Sequence, residues 1–468
     1  MLRHLNYISH LFFKTSFFLY SFIETMASSN DTLINSNNAN LKKWRVFVIP
    51  YFARGHLIPM KDFADLLSAN HPDIEPTMVV TPGNTKFITS SIGKSNKSTQ
   101  YPVQILTYPF PLIGLKPDVE TVGIGKSTES SAIDKAAHMA RPGQEQVLRK
   151  YKPDAVITDV MFPWIAAIAA DLGIPCLFFA SSGAFPILII RSLFKIVAHL
   201  GLHDHVTVSG LPGPEIRMPV LELPTFVFED NYTQKPERAT KSWTDVFGFV
   251  VNTCRGLELD YCNEFEKTQA SRAYFVGPVS VSCSMNQHDV VERGGEGETN
   301  CMRWLDSKEE QSVIFVSFGS QCYFKSAQLH ELAMGLEESG QNFLWVVRCV
   351  DQSDEWMPEG WEERVADRGL VFINEKLLVD VVGCATRLWE GGKRSTRETE
   401  CELVPRTVIA HAVSQFMEPE GENSSVHCKA RELGAVIRSA MAEGGSSTSD
   451  LSRLISDLIN AMQSKTCQ

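Results

Sequence analysis

In the segment Val46 to Met60 (VFVIPYFARGHLIPM) one histidine, His56, falls between an apolar run suited to a buried parallel strand, Val46 to Ile49, and a stretch with helical spacing, Ile58 to Leu67. Gly55 permits a tight approach at the joint. A histidine at a helix amino end feels the positive end of the macrodipole, which disfavours the imidazolium and keeps the ring neutral and able to accept a proton. His56 is therefore a candidate general base, although the same segment equally suits a histidine that caps a helix or fills a loop. Asp159 follows another apolar run, Ala155 to Thr158, and so emerges at the carboxyl end of a predicted strand, where the crevice of a parallel sheet lies. A carboxylate bonded to one ring nitrogen fixes the tautomer and stabilises the imidazolium formed when the other nitrogen takes a proton. The alternative for Asp159 is an ordinary N-cap or surface carboxylate.

Two further groups of residues carry weaker indications. Gly319 and Ser320 follow the predicted strand Val313 to Ser317 and precede a helix with Leu329, Leu332, Ala333 and Leu336 on one face. Amides at such a turn could hold a phosphate, but a lone glycine turn is as often structural. His199, His203 and His205 with Asp204 could suggest a metal, yet no further ligand stands at zinc-like spacing, and a solvated loop between helices is the expectation.

The elements that position these residues form two alternating series. In the first half, Val46 to Ile49, Met78 to Thr81, Val103 to Tyr108, Ala155 to Thr158, Cys176 to Ala180 and Phe247 to Asn252 are short apolar runs between amphipathic stretches. That alternation predicts an α/β fold with a parallel sheet covered by helices on both faces. Ser284 to Asn300 is rich in glycine and charge without apolar period and reads as an interdomain linker. The second series holds Val313 to Ser317, the helix above, Phe343 to Val347, and helical segments Pro405 to Met417, Val426 to Met441 and Leu451 to Met462. The expected units are a leader over 1–43, a first domain over 44–283, the linker over 284–300, and a second domain with the terminal helices over 301–468.

A chain of 468 residues supports two such domains. Its net charge of -11 argues against nucleic acid or an anionic membrane as main partner and leaves a small molecule as the expected one. Eleven cysteines without a CxxC pair or even spacing indicate neither a disulfide framework nor a zinc site and point to a reducing compartment, the cytoplasm. A monomer is expected. Phe17 to Ile23, with Arg3 and Lys14 upstream, has some features of a signal peptide but is too short to span a bilayer. Met26 opens a polar stretch typical of a cytosolic start, so residues 1–25 read as an upstream extension and the leader as disordered.

Taken in order, GHLIPM, ITDVMFPW, FVGPV, WLDS, VIFVSFGS, GLEESGQNFLWVVR and NEKLLVDV resemble the plant small-molecule UDP-glycosyltransferases from about Trp44 onward. The resemblance implies two Rossmann-like domains of the glycosyltransferase-B type, the first holding the acceptor and the second the UDP-sugar. It implies that His56 deprotonates the acceptor hydroxyl, that Asp159 orients His56, and that Gly319 and Ser320 lie near the donor phosphates. The implied reaction is inverting transfer of a sugar, usually glucose, to a hydroxyl of a flavonoid, other phenolic or terpenoid, with UDP-sugar as co-substrate and neither metal nor organic cofactor. The implied acceptor loops are Leu112 to Ser131 and Phe185 to His205.

One departure stands out. The family's donor box opens with Trp-Ala-Pro-Gln, has a His-Cys-Gly-Trp-Asn-Ser core and closes on an acidic residue with Gln. It belongs between Gly369 to Phe372 and Asn374 to Val381, where this chain has only Ile373. The joint reads as a strand running into a helix with no Gly, Pro or loop between, as if a strand and helix had been cut out of the second domain. Three readings stay open: an active glycosyltransferase, an inactive relative that binds an acceptor, and a misspliced product that does not fold stably.

Overall fold

The computed structural model describes Ser16–Phe18 and most of residues 43–284 and 301–466; the longer undescribed segments are 96–102, 198–204, 228–245, 285–300, 348–355 and 374–401, with short breaks elsewhere. The linker reading and the junction after Ile373 fall outside the described residues.

The first sheet has seven strands: β2 (Trp44–Ile49), β3 (Ile74–Val80), β4 (Gln104–Thr107), β5 (Ala155–Asp159), β6 (Cys176–Ala180), β9 (Gly248–Val251) and β10 (Ala273–Phe275). Their order is β10-β9-β6-β5-β2-β3-β4, all neighbours parallel. The chain winds outward from β2 to β4, then returns to β5 on the other side of β2, so the order reverses between β2 and β5. β5, β6, β9 and β10 are buried on both faces and β2 at every position but Arg45, whereas the edge strand β4 is only half-buried. Phe47 and Ile49 pack with Val156 and Phe178 into one core, while Val46, Val48, Ile157 and Leu177 pack into the other. Side chains two residues apart share a face, and that period sorts them.

Helices cover both faces: α1 (Arg54–Asn70), α2 (Pro82–Ser95), α3 (Ser127–Met139), α4 (Arg141–Tyr151), α5 (Trp164–Asp171), α6 (Ala184–Val197) and α7 (Arg255–Thr268). A short α8 (Val279–Ser284) leads into the linker region. Beside α6 an antiparallel hairpin, β7 (His205–Val208) with β8 (Ile216–Pro219), closes a satellite core on Phe185, Ile189 and Leu193. Neither the hairpin nor β10 was expected from the sequence, where their short runs carry too few apolar residues to stand out.

The second sheet holds β11 (Val313–Ser317), β12 (Asn342–Val347) and β13 (Gly369–Ile373), parallel and in that order. On one face α9 (Ser326–Ser339), α10 (Trp361–Val365) and α11 (Arg406–Met417) bury Trp345, Trp361, Leu332, Leu336, Ile409 and Val413. Gly335 lets α9 and α11 approach closely, since a Cβ there would stand 2.7 Å from Ile409 and 2.9 Å from the Arg406 carbonyl. On the opposite face the buried residues among those described are Cys301, Phe315 and Leu344, with Trp304, Leu305 and Leu370 beside them.

Two expectations about the ends need correction. Ser16–Phe18 (β1) pairs antiparallel with Phe315 to Ser317, so part of the leader joins the edge of the second sheet rather than staying without structure. A short extended segment meeting an open strand edge gains backbone partners for its amides and carbonyls. The terminal helices α12 (Ser424–Met441) and α13 (Ser446–Thr466), expected with the second domain, return to the first. Leu451, Leu454, Ile455, Leu458 and Met462 complete the core around Val46, Val48 and Ile157. Polar contacts fix the docking: Phe275 donates its amide to Asp450 at 2.9 Å, and the Tyr274 hydroxyl donates to Asp457 at 2.8 Å.

Leu454 is fully buried in that core. Leu454→Ala is therefore expected to destabilise the first domain by about 2–5 kcal/mol. Urea unfolding, followed by hydrogen exchange in peptides of β2 and β5, measures this; unchanged protection there would show that α13 does not support the sheet.

Candidate active site

His56 and Asp159 meet at the reversal of strand order. β2 ends at Ile49 and the chain turns through Tyr51 and Phe52 into α1, whose first turn carries His56. The helix starts at Arg54, ahead of the predicted Ile58, because the amides of a first turn need no helical partners and so tolerate Gly55 there. A Cβ at Gly55 would meet nothing within 4 Å, so the tight approach expected from the sequence is not to another described part of the chain. β5 ends on Asp159 itself.

His56 Nδ1 lies 2.7 Å from Asp159 Oδ2. The other carboxylate oxygen, Oδ1, accepts the Met161 amide at 2.9 Å. Asp159 is fully buried, whereas the His56 side chain keeps 28% of its exposure. A buried carboxylate aligned on Nδ1 makes that nitrogen the donor and leaves Nε2 as the nitrogen that can take a proton. The structure thus brings the two sequence candidates together.

Other candidates fare differently. Gly319 and Ser320 lie outside the described residues, as do His199, His203 and Asp204. His205 opens β7 with its side chain exposed. Among the described residues no group of three His, Cys, Asp or Glu side chains is placed to hold a metal ion, and no helix is long and apolar enough to cross a membrane.

The surroundings of His56 are aromatic, which sequence reading missed. Tyr51 stands edge-on to the imidazole, with ring centroids 5.3 Å apart, and packs on Phe162 at 5.7 Å. Phe162 in turn contacts Phe52 and Trp164, and Phe52 contacts Phe110. The indicator was present: both loops that leave the carboxyl edge, after β2 and after β5, carry aromatic residues within a few positions (Tyr51 and Phe52; Phe162 and Trp164). Gln144, fully buried, holds this cluster from behind, accepting Trp164 Nε1–H at 2.7 Å and donating to the Tyr108 hydroxyl at 3.0 Å. Burial pushes the Tyr108 hydroxyl far above the ordinary tyrosine range, so it stays a neutral partner. Part of the loop between β4 and α3 is pinned at the same edge: Val122 donates to the Phe52 carbonyl at 2.6 Å, and Gly83 donates to Glu120 Oε2 at 2.7 Å.

Comparison with solved structures defines the class. The fold is that of a plant UDP-glycosyltransferase from Glycyrrhiza uralensis, solved with glycyrrhetinic acid 3-O-monoglucuronide, at a TM-score of 0.76 and 25% identity over 91% of this chain and 97% of that one. It is a glycosyltransferase-B fold of two Rossmann-like domains. No protein-family model matches the chain. The anthocyanin 3'-O-beta-glucosyltransferase of Gentiana triflora is 32% identical, across 88% of this chain and 98% of its own length. The UDP-glucose flavonoid 3-O-glucosyltransferase 7 of Fragaria ananassa is 29% identical over 88% of this chain and 96% of its own. The chain belongs to the plant UDP-glycosyltransferase family.

The geometry makes a prediction about protonation. Nitrogen-15 NMR of the labelled protein at neutral pH should show His56 as the tautomer protonated on Nδ1, and Asp159→Asn should disturb that preference. A His56 signal protonated on Nε2 in the unaltered protein would contradict the assigned roles.

Proposed function

We propose that the chain descends from an inverting glycosyltransferase that moves glucose from UDP-glucose to a hydroxyl of a flavonoid, other phenolic or terpenoid, with His56 as general base and Asp159 as its orienting carboxylate. The observation that carries this reading is the 2.7 Å contact of His56 Nδ1 with a fully buried Asp159 at the reversal of strand order. Nε2 takes the acceptor proton as the oxygen attacks the anomeric carbon from the side opposite UDP, and Asp159 stabilises the imidazolium. Holding both substrates in one crevice supplies much of the acceleration. Half-buried Phe110 and Trp164, backed by the buried rings of Tyr51, Phe52 and Phe162, suit a flat aromatic acceptor. The relatives named for anthocyanin and flavonoid glucosylation support that class and the sugar. The buried free cysteines Cys176, Cys254, Cys262 and Cys301 suit a reducing cytoplasm, where we expect the protein to act as a monomer.

We further propose that the chain as it stands is impaired at the donor step. The match to the Gentiana protein extends over 479 positions, more than the 468 residues of the whole chain, so that relative has positions without counterpart here. The acceptor unit then comprises the first sheet with α12 and α13, and the donor unit the second sheet with α9 to α11.

Two outcomes test these readings. When the family's donor box is inserted after Phe372, the protein should glucosylate a flavonoid, and His56→Ala should then lose about a hundredfold or more in rate; near-normal turnover would identify a different base. Without the insertion, calorimetric titration should give UDP-glucose a dissociation constant beyond about a millimolar. Each lost hydrogen bond to a charged group is worth about 1.5–3 kcal/mol, and several are missing. Micromolar binding would show that the donor site is intact.

A further inference from the structure

The loop after β6 borders Asp159, since Asp159 pairs in register with Phe179 and Val160 donates to the Phe179 carbonyl. Residues Ser181 to Phe185 therefore form part of the crevice rim, and several of their backbone groups bond to one segment, Asn252 to Glu258, while Phe185 also packs on Tyr261. Asn252 donates its own amide to the Ala180 carbonyl at 3.0 Å and its side-chain Nδ2 to the Ser181 carbonyl at 3.1 Å. Glu258 accepts the amides of Ala184 and Phe185, one on each oxygen, at 2.9 and 2.8 Å. These are orphan donors in the first turn of α6, which no residue of its own helix can satisfy. Glu258 reaches them because its backbone leaves helical geometry, at φ -147° and ψ 49°, inside α7. The fit is close, since a side chain at Gly183 would collide with the Glu258 carboxylate.

The same segment grips the route to the second domain. Asn252 Oδ1 accepts the amide of Val279, the first residue of α8, at 2.9 Å. Gly277 donates to the Thr253 carbonyl at 2.9 Å, and Ser447 at the start of α13 donates its hydroxyl to the Gly277 carbonyl at 2.7 Å. The outward connection through α8 and the start of α13, the last helix of the first unit, thus converge beside Asn252.

We propose that Asn252 and Glu258 are positioning residues: together they set the rim loop Ser181 to Phe185 against the acceptor, and Asn252 ties that loop to the connection carrying the donor unit. One amide side chain divides its two ends between these tasks, Nδ2 for the rim and Oδ1 for α8. Order imposed on the rim by an acceptor is thereby passed to the connection. The ligand half of this proposal rests on the acceptor reading above; the positioning half does not.

Hydrogen exchange on the full chain, read in peptides 181–187 and 277–284, separates the two halves. Asn252→Asp keeps an acceptor for Val279 but loses the donor to Ser181. It should speed exchange at 181–187 about fivefold to tenfold, the effect of one hydrogen bond, and leave 277–284 unchanged. Asn252→Ala should speed both, and Glu258→Ala only 181–187. Peptides of β12 serve as the folding control. Quercetin should slow exchange in both segments of the unaltered protein, but only at 181–187 in Asn252→Asp. Unchanged exchange at 181–187 in ligand-free Asn252→Asp overturns the positioning role. Protection of 277–284 by quercetin in Asn252→Asp overturns the coupling. Absence of any quercetin effect on the unaltered protein overturns the acceptor reading and the coupling, and the ligand-free comparison still decides the positioning.

Discussion

Asp159 is removed from water, and a carboxylate in that position is tolerable only when each oxygen finds a donor. One donor is the Met161 amide, supplied by the turn that ends β5. The other is the ring of His56, which arrives from the end of β2. Two strands remote in sequence must therefore lie side by side and end level with one another. The pairing of Val46 through Ile49 with Ala155 through Thr158 provides this. The winding of the sheet, the turn through Tyr51 and Phe52, and the start of α1 at Arg54 all serve that meeting. The same requirement makes the pair useful, because a histidine whose Nδ1 is committed presents a single basic nitrogen to whatever occupies the crevice.

Much of this was legible in the sequence. Five of the central strands are runs of apolar residues buried on both faces, and such runs announce themselves without periodic analysis. His56 and Asp159 could be placed because each follows one of those runs directly. The three-residue β10 and the half-exposed hairpin β7–β8 are too short or too polar to be read in the same way. The start of α1 was hidden by Gly55, which read as a tight joint before the helix although glycine costs little in a first turn. The aromatic cluster and the Gln144 bridge depend on contacts between segments far apart, and no local pattern encodes which segments will touch.

The last helix illustrates the same limit from another side. Leu451, Leu454, Ile455 and Leu458 define an apolar face from spacing alone. Spacing says that such a face is covered but not by what. Its partner turned out to be the first sheet, reached across Gly277 and fixed by Asp450 on the Phe275 amide. The two units of the chain are consequently not consecutive stretches: the second is an insertion into the first.

That arrangement bears on the order of events at the ribosome. The sheet that carries His56 is nearly complete once Phe275 has been made, yet part of its covering arrives only with the final residues of the chain. Until then the face of Val46, Val48 and Ile157 is covered by α1 but lacks α13, and the part α13 will cover is open to whatever apolar surface it meets. A lesion in the middle of the gene is therefore felt at the beginning of the protein. Loss of a multiple of three nucleotides damages the second unit alone, whereas any shift of reading frame also deprives the first of its closing helix.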